Sequence, residues 1–237
     1  SWGVSTRLVG TLIMAHGDDD GIKLPPKVAP TQVVIMPIIP KEENREDVMN
    51  AANQFANEVS DLTYAGLPLR VEVDSREMHG GAKNWEWIKK GAPIRIEIGP
   101  RDIEKGTVAV ARRDQSPKEK QFIESSEFLK EAANILEDIQ SSLLDNATTF
   151  RDENMIAIDT MDDFIKFFTP SNSGKPEIHG GFALCHWAGS NEEEEKIAKD
   201  YKVTIRCIPN GDEFTEEGKC IFSGKPSSRR VVFSKAY

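Results

Sequence analysis

Residues 33–39, inside "TQVVIMPIIP", carry no polar side chain. A run this apolar and this rich in β-branched residues, closed by prolines, is a strand with no face to give to water, so the fold must bury it. The next segments supply the cover. Val48, Ala52, Phe55, Val59 and Leu62 recur at alternating steps of four and three, the stripe of an amphipathic helix. "GLPLRVEVDS" alternates with Leu69, Val71 and Val73 inward, and "NWEWIKKG" is a short helix closed by Gly91. "APIRIEIGP" alternates through Ile94, Ile96 and Ile98, and "GTVAVARRD" is a further strand. Strand, helix, strand, helix, strand, strand is the order of an α/β sandwich with a mixed sheet. Over residues 117–144, Leu129, Ala132, Leu136, Ile139 and Leu143 repeat at three-and-four spacing, which predicts one long helix.

Ahead of the sandwich, Ser5 or Thr6 caps a short helix bearing Leu8, Val9, Leu12 and Ile13 on one side. "HGDDDGIKLPPKVAP" reads as a linker whose three aspartates lack the spacing of a calcium loop and are solvated. Behind the sandwich, "DTMDDFIKFF" is a short helix capped by Thr160, and "GGFALCHWAG" and "KVTIRCIP" are strands around an "NEEEEKIAKDY" helix. "GKCIFSGKPSSRRVVFSKAY" has hairpin character, completing a second, smaller α/β unit from about residue 150.

The net charge of −9 argues against a protein that is basic over its whole surface, but residues 66–120 depart from that balance, with twelve Lys and Arg against nine carboxylates. Trp85 and Trp87 lie inside this stretch, either as core and rim residues or as stacking faces for unstacked bases. In "RIEIGPRDIEKGTVAVARRD" the buried isoleucines leave Arg95 and Glu97 on the opposite face, and Gly99 and Pro100 break the strand to present Arg101 and Asp102 from a turn. Carboxylates accept from the amino and imino groups of guanine, and arginine donates to its O6 and N7, so the block has the chemistry to read a base edge. A surface ion-pair cluster without a ligand uses the same residues. Cys185, Cys207 and Cys220, an odd number without a framework spacing, suit a reducing cytosol, and no apolar run approaches the roughly 18 residues of a membrane span.

"GVSTRLVG", "HGDDDGIKLPP", "VAPTQVVIMPI", "GAPIRIEIGPRDIE" and "RRVVFSKAY" together resemble the prolyl-tRNA synthetases that carry a carboxy-terminal extension, over essentially the whole chain. The resemblance implies a catalytic-domain remnant with motif 3 and a linker over residues 1–27. It implies an anticodon-binding domain, a mixed β-sheet flanked by helices, over 28–145, and a smaller α/β extension domain over 146–237. In the family, the arginine matched by Arg7 grips the phosphates of ATP, and Trp2, Gly3, Ser5 and Thr6 are implied to join it at the ATP and proline site, with Mg2+ screening the phosphates. Arg95, Glu97, Arg101, Asp102, Lys105, Arg112 and Arg113 are implied to meet the anticodon of tRNA(Pro). The intact enzyme is then a cytoplasmic homodimer that joins proline to this tRNA through prolyl adenylate, with neither DNA nor a membrane as partner. Motifs 1 and 2 are expected upstream of Ser1, so this segment alone is expected to form no adenylate.

The four zinc cysteines found in members of the family fall here on Ala188, Glu193, Cys220 and Ser223, so zinc is not expected. Cys185, Cys207, His179 and His186 stand off that pattern. Tyr237 either folds its carboxylate toward the active site, steered by Arg229, Arg230 and Lys235, or ends in a frayed terminus. Two other classes compete: an accessory RNA-binding protein of the same fold without catalysis, and a small-molecule-binding α/β protein. The motif 3 arginine separates the ligase from the former, and the basic excess around residues 97–113 separates RNA binding from the latter.

Overall fold

In the computed structural model, which describes residues 3–170 and 181–235, the apolar run forms β1 (Val33–Pro37), buried at every position. It belongs to a first unit, Ser1–Ala147. Helix α1 (Arg7–His16) precedes it, and α2 (Arg45–Ser60) comes after. A hairpin of β2 (Thr63–Tyr64) and β3 (Leu67–Pro68) leads to β4 (Val71–Val73), and α3 (Gly80–Lys90) leads to β5 (Ile94–Ile98). The chain continues through α4 (Pro100–Lys105), β6 (Thr107–Arg112), β7 (Gln121–Glu124) and α5 (Ser125–Glu153). Strands lie in the order β4-β1-β5-β6-β7, the first two pairings parallel and the last two antiparallel. This is the mixed sheet that the strand–helix alternation predicts.

Register assigns each side chain to a layer. Val33, Ile35, Ile94, Ile96, Val108 and Val110 share one face, and their cluster includes Ala52, Phe55 and Val59 of α2 and Phe128, Ala132, Leu136 and Ile139 of α5. Full burial of one such Phe, Leu or Ile contributes about 1.5–3 kcal/mol. The opposite face carries Val34, Met36, Arg95, Glu97, Ala109 and Ala111. Helix α3 covers the β1 end of that face, where Trp87 packs with Val34, Met36 and Ala92.

Two expectations are corrected and a third is extended. The long helix starts at Ser125, because residues 121–124 pair with β6 as the edge strand, and it runs on to Glu153. Leu62 lies beyond α2 and packs on the core from outside it, while Ala56 joins the buried stripe. The aspartate-rich linker keeps Asp18 and Asp19 exposed, as a solvated loop does, but it is also a strap tied down through Asp18. Its Asp18 carboxylate accepts from Arg113 Nη1 and Nη2 at 2.9 and 2.6 Å, and Lys23 Nζ stands 3.1 Å away. Arg113 also donates to the carbonyls of Gly21, Ile22 and Ile88 at 3.0–3.1 Å. The strap lies so close to the end of α3 that a Cβ on Gly91, which caps the helix at φ 76°, would meet Ile22 Cγ2 at 2.7 Å.

The second unit, Thr148–Tyr237, has its own sheet. Its elements are β8 (Met155–Ala157), α6 (Met161–Phe168), β9 (Phe182–His186), α7 (Asn191–Tyr201), β10 (Val203–Cys207), β11 (Thr215–Lys219) and β12 (Pro226–Lys235). The order is β10-β12-β9-β8, with β11 hairpinned onto β12. Phe164 is fully buried at the centre of an aromatic cluster, edge-on to Phe168, Phe222 and Phe233 at centroid distances of 4.9–5.5 Å.

Candidate functional site

The second face of the first sheet changes character from one side to the other. Met36, Glu97, Ala109 and Phe122 form one row across β1, β5, β6 and β7. Met36 is buried, Ala109 is a buried floor, and Phe122 on the edge strand is 70% exposed. Across the floor from Phe122, both oxygens of Glu97 accept from Lys120 Nζ at 2.7 Å. Both members of this pair are partly exposed.

Arg95 lies on the same face as Glu97 but beneath the surface. It is 1% exposed, its Nε donates to Asn84 Oδ1 of α3 at 2.9 Å, and its buried Nη1 and Nη2 have no hydrogen-bond partner among the described residues. Desolvation, and then the Arg113 guanidinium, pull its pKa down to about 10 against the opposing pull of Glu97. A guanidinium held this way is costly to bury. Here it sets positive potential under the Glu97 carboxylate.

The remaining members of the sequence-derived set are dispersed. Arg101 and Lys105 are exposed on α4, their side chains unpaired among the described residues. Asp102 accepts the Gly99 N–H at 2.9 Å and so fixes the turn that presents Arg101. Arg112 is on the other side of the sheet, where it pairs with Asp114 and with Asp138 of α5. The parity of β6 carries that signal, since Arg112 is in phase with the core residues Val108 and Val110. Arg113 is consumed by the strap. Trp87 is buried, donates to Asp74 Oδ2 at 2.9 Å and lies under Lys90 Nζ, so its ring is not available, whereas Trp85 is half exposed.

At the start of the described chain, Gly3, Ser5, Thr6 and Arg7 are exposed. Thr6 occupies the N-cap position of α1 without a side-chain cap bond, and Arg7 opens the helix, its guanidinium unpaired among the described residues. Trp2, His179 and Tyr237 lie outside the described residues. Of the positions aligned with zinc ligands, Glu193 is spent on the capping box of α7, accepting the Ser190 N–H at 2.7 Å. Burial raises the Cys220 thiol, but the Ser223 hydroxyl and backbone N–H groups of Ala188, Ser223 and Phe222 outweigh it and hold the thiol below its usual range. Burial pushes the Cys185 thiol up to about 12. No group of three or more His, Cys, Asp or Glu residues placed to hold a metal stands among the described residues. Arg230 is tied to Asp159 and Glu216, and Arg229 to the Pro209 carbonyl and Thr215. Among the described residues no helix is long and apolar enough to cross a membrane.

Two family descriptions match. Residues 32–135 match "Anticodon binding domain", and residues 175–237 match "Prolyl-tRNA synthetase, C-terminal". A proline–tRNA ligase of Protochlamydia amoebophila is 49% identical over 238 residues that cover all of this chain. Over its whole length the chain is similar to the carboxy-terminal portion of prolyl-tRNA synthetases. Proline–tRNA ligase 2 of Anaeromyxobacter dehalogenans is likewise 49% identical over the whole chain. The chain spans about half the length of these synthetases, 46% and 47%. Among solved structures, prolyl-tRNA synthetase from Cryptosporidium parvum complexed with halofuginone and AMPPNP is similar at 33% identity and a TM-score of 0.82. That likeness covers 100% of this chain and 46% of the other. The same enzyme complexed with L-proline and AMP is similar with a TM-score of 0.81, also at 33% identity, over 100% and 47% of the two chains.

Proposed function

We propose that this chain is the tRNA-reading portion of a proline–tRNA ligase, and that the first unit binds the anticodon of tRNA(Pro). The observation that carries the reading is Glu97, a carboxylate on the open part of the sheet in a domain of the anticodon-binding family. It accepts from the N1–H and N2–H2 edge of an unstacked guanine, while Lys120 and the buried Arg95 keep its surroundings positive. Arg101, Lys105 and Lys118, unpaired among the described residues, meet phosphates or base acceptors. Arg112 and Arg113 serve the fold.

In the whole ligase, Arg7 forks onto ATP phosphates beside Trp2, Gly3, Ser5 and Thr6, and proline is activated and transferred to the tRNA. Mg2+ accompanies the nucleotide; of the four residues aligned with zinc ligands, Cys220 alone carries a thiol. The ligase works in the cytoplasm as a homodimer.

Filter binding of tRNA(Pro) at increasing salt tests the reading. Log affinity falls linearly with log salt as counterions are released. Lys118→Ala weakens all RNAs alike and lowers the slope by about one. Salt-independent association would contradict it.

A further inference from the structure

Phe122 is the exception on a strand edge otherwise fitted to stay in water. Edge strands pair with other chains unless charges or prolines blunt them. Here Lys120, Gln121 and Glu124 do so, yet a large aromatic side chain between them is 70% exposed. Its place in the sheet is not arbitrary. The residue across from it is Ala109, and the residue across from Ala109 is Glu97. A stacking face and a carboxylate therefore flank a one-methyl floor, two strand spacings apart, about 10 Å. Lys120, two residues before Phe122 on the same side, closes the trough with its bridge to Glu97.

Resting on the anticodon reading above, we infer that Phe122 is a stacking platform for an unstacked nucleobase of the tRNA loop, set beside the base whose edge Glu97 reads. The chemistry selects this occupant. An exposed ring takes any π-face, which is how single-stranded nucleic acid is held without sequence preference. The neighbouring carboxylate adds the donor requirement of guanine, since each of its oxygens keeps a second lone pair beyond the Lys120 bond. Lys118, exposed and unpaired among the described residues, supplies a cation that a phosphate backbone needs and an apolar protein partner does not. Stacking and reading are thus divided between two strands, with Ala109 small enough to admit a ring between them.

The test uses the full chain and an anticodon stem-loop RNA of tRNA(Pro). Phe122→Trp binds within about twofold of the unchanged protein, and its indole fluorescence is quenched as RNA saturates it. Phe122→Leu, which keeps apolar area but has no π-face, binds about tenfold more weakly, the size that loss of one stacking face produces. Unchanged affinity of Phe122→Leu, with Glu97→Gln weakened in the same assay, would overturn the platform and leave the anticodon reading standing. Failure of the unchanged protein to bind the RNA would overturn both. A dimer in sedimentation that Phe122→Leu dissociates, without loss of RNA affinity, would assign the ring to self-association and overturn the platform.

Discussion

Asp18→Asn is expected to destabilise the first unit by about 1–2 kcal/mol, less than the cost of breaking a fully buried ion pair because the carboxylate side is solvent-exposed. The variant leaves Arg113, 2% exposed, without its carboxylate. The three carbonyls that also accept from Arg113 remain, and Asp18 is itself partly exposed, which keeps the loss from being larger. The sign of the pH dependence comes from the same pair. The Arg113 guanidinium, with help from Lys23, holds the Asp18 carboxyl well below its usual range. The stabilisation is therefore fully present above the unfolded carboxyl value of about 3.9 and is lost as pH falls below it. Urea unfolding at pH 7 and at about pH 3 checks both parts. The gap between variant and parent should narrow at the lower pH, and a gap under about 1 kcal/mol at pH 7 would show the strap to be incidental.

The strap also shows where the sequence falls silent. Local pattern is enough to find β1, the α2 stripe and the isoleucine face of β5, because the first is an unbroken apolar run and the others depend only on neighbours three, four or two residues away. Arg113 and Asp18 are far apart in the chain, and nothing local marks one aspartate among three as the partner. Residues 121–124 have a composition that a helix accepts, but the open edge of β6 offers backbone hydrogen bonds, and tertiary pairing overrides propensity. Reading that stretch as helix removes Phe122 from the sheet and hides its alignment with Glu97. Arg95 is assigned to the correct face, yet whether a face is open or covered depends on where α3 packs, which alternation does not encode. Arg112 differs from these, because its parity with Val108 and Val110 is legible in the sequence and already places it with the core side of β6.

Glu97→Gln is expected to cut the affinity for tRNA(Pro) by about 10–100-fold, the range of one bidentate edge contact. The amide keeps one acceptor and turns a donor toward the donors of guanine, so it adds a repulsive contact as well as removing an attractive one. It also releases Lys120 from both of its bonds. Freed Lys120 adds a phosphate-seeking cation, so the variant should bind RNA of unrelated sequence no worse than the parent. Loss of affinity for every RNA alike would instead identify Glu97 as a support for the fold.

The most direct test of the central claim compares the affinity of this chain for tRNA(Pro) with its affinity for the same tRNA after both anticodon guanines are replaced. At fixed salt the replacement should weaken binding at least tenfold, and Glu97→Gln should shrink that difference. Equal affinities for the two tRNAs would contradict guanine reading by the first unit.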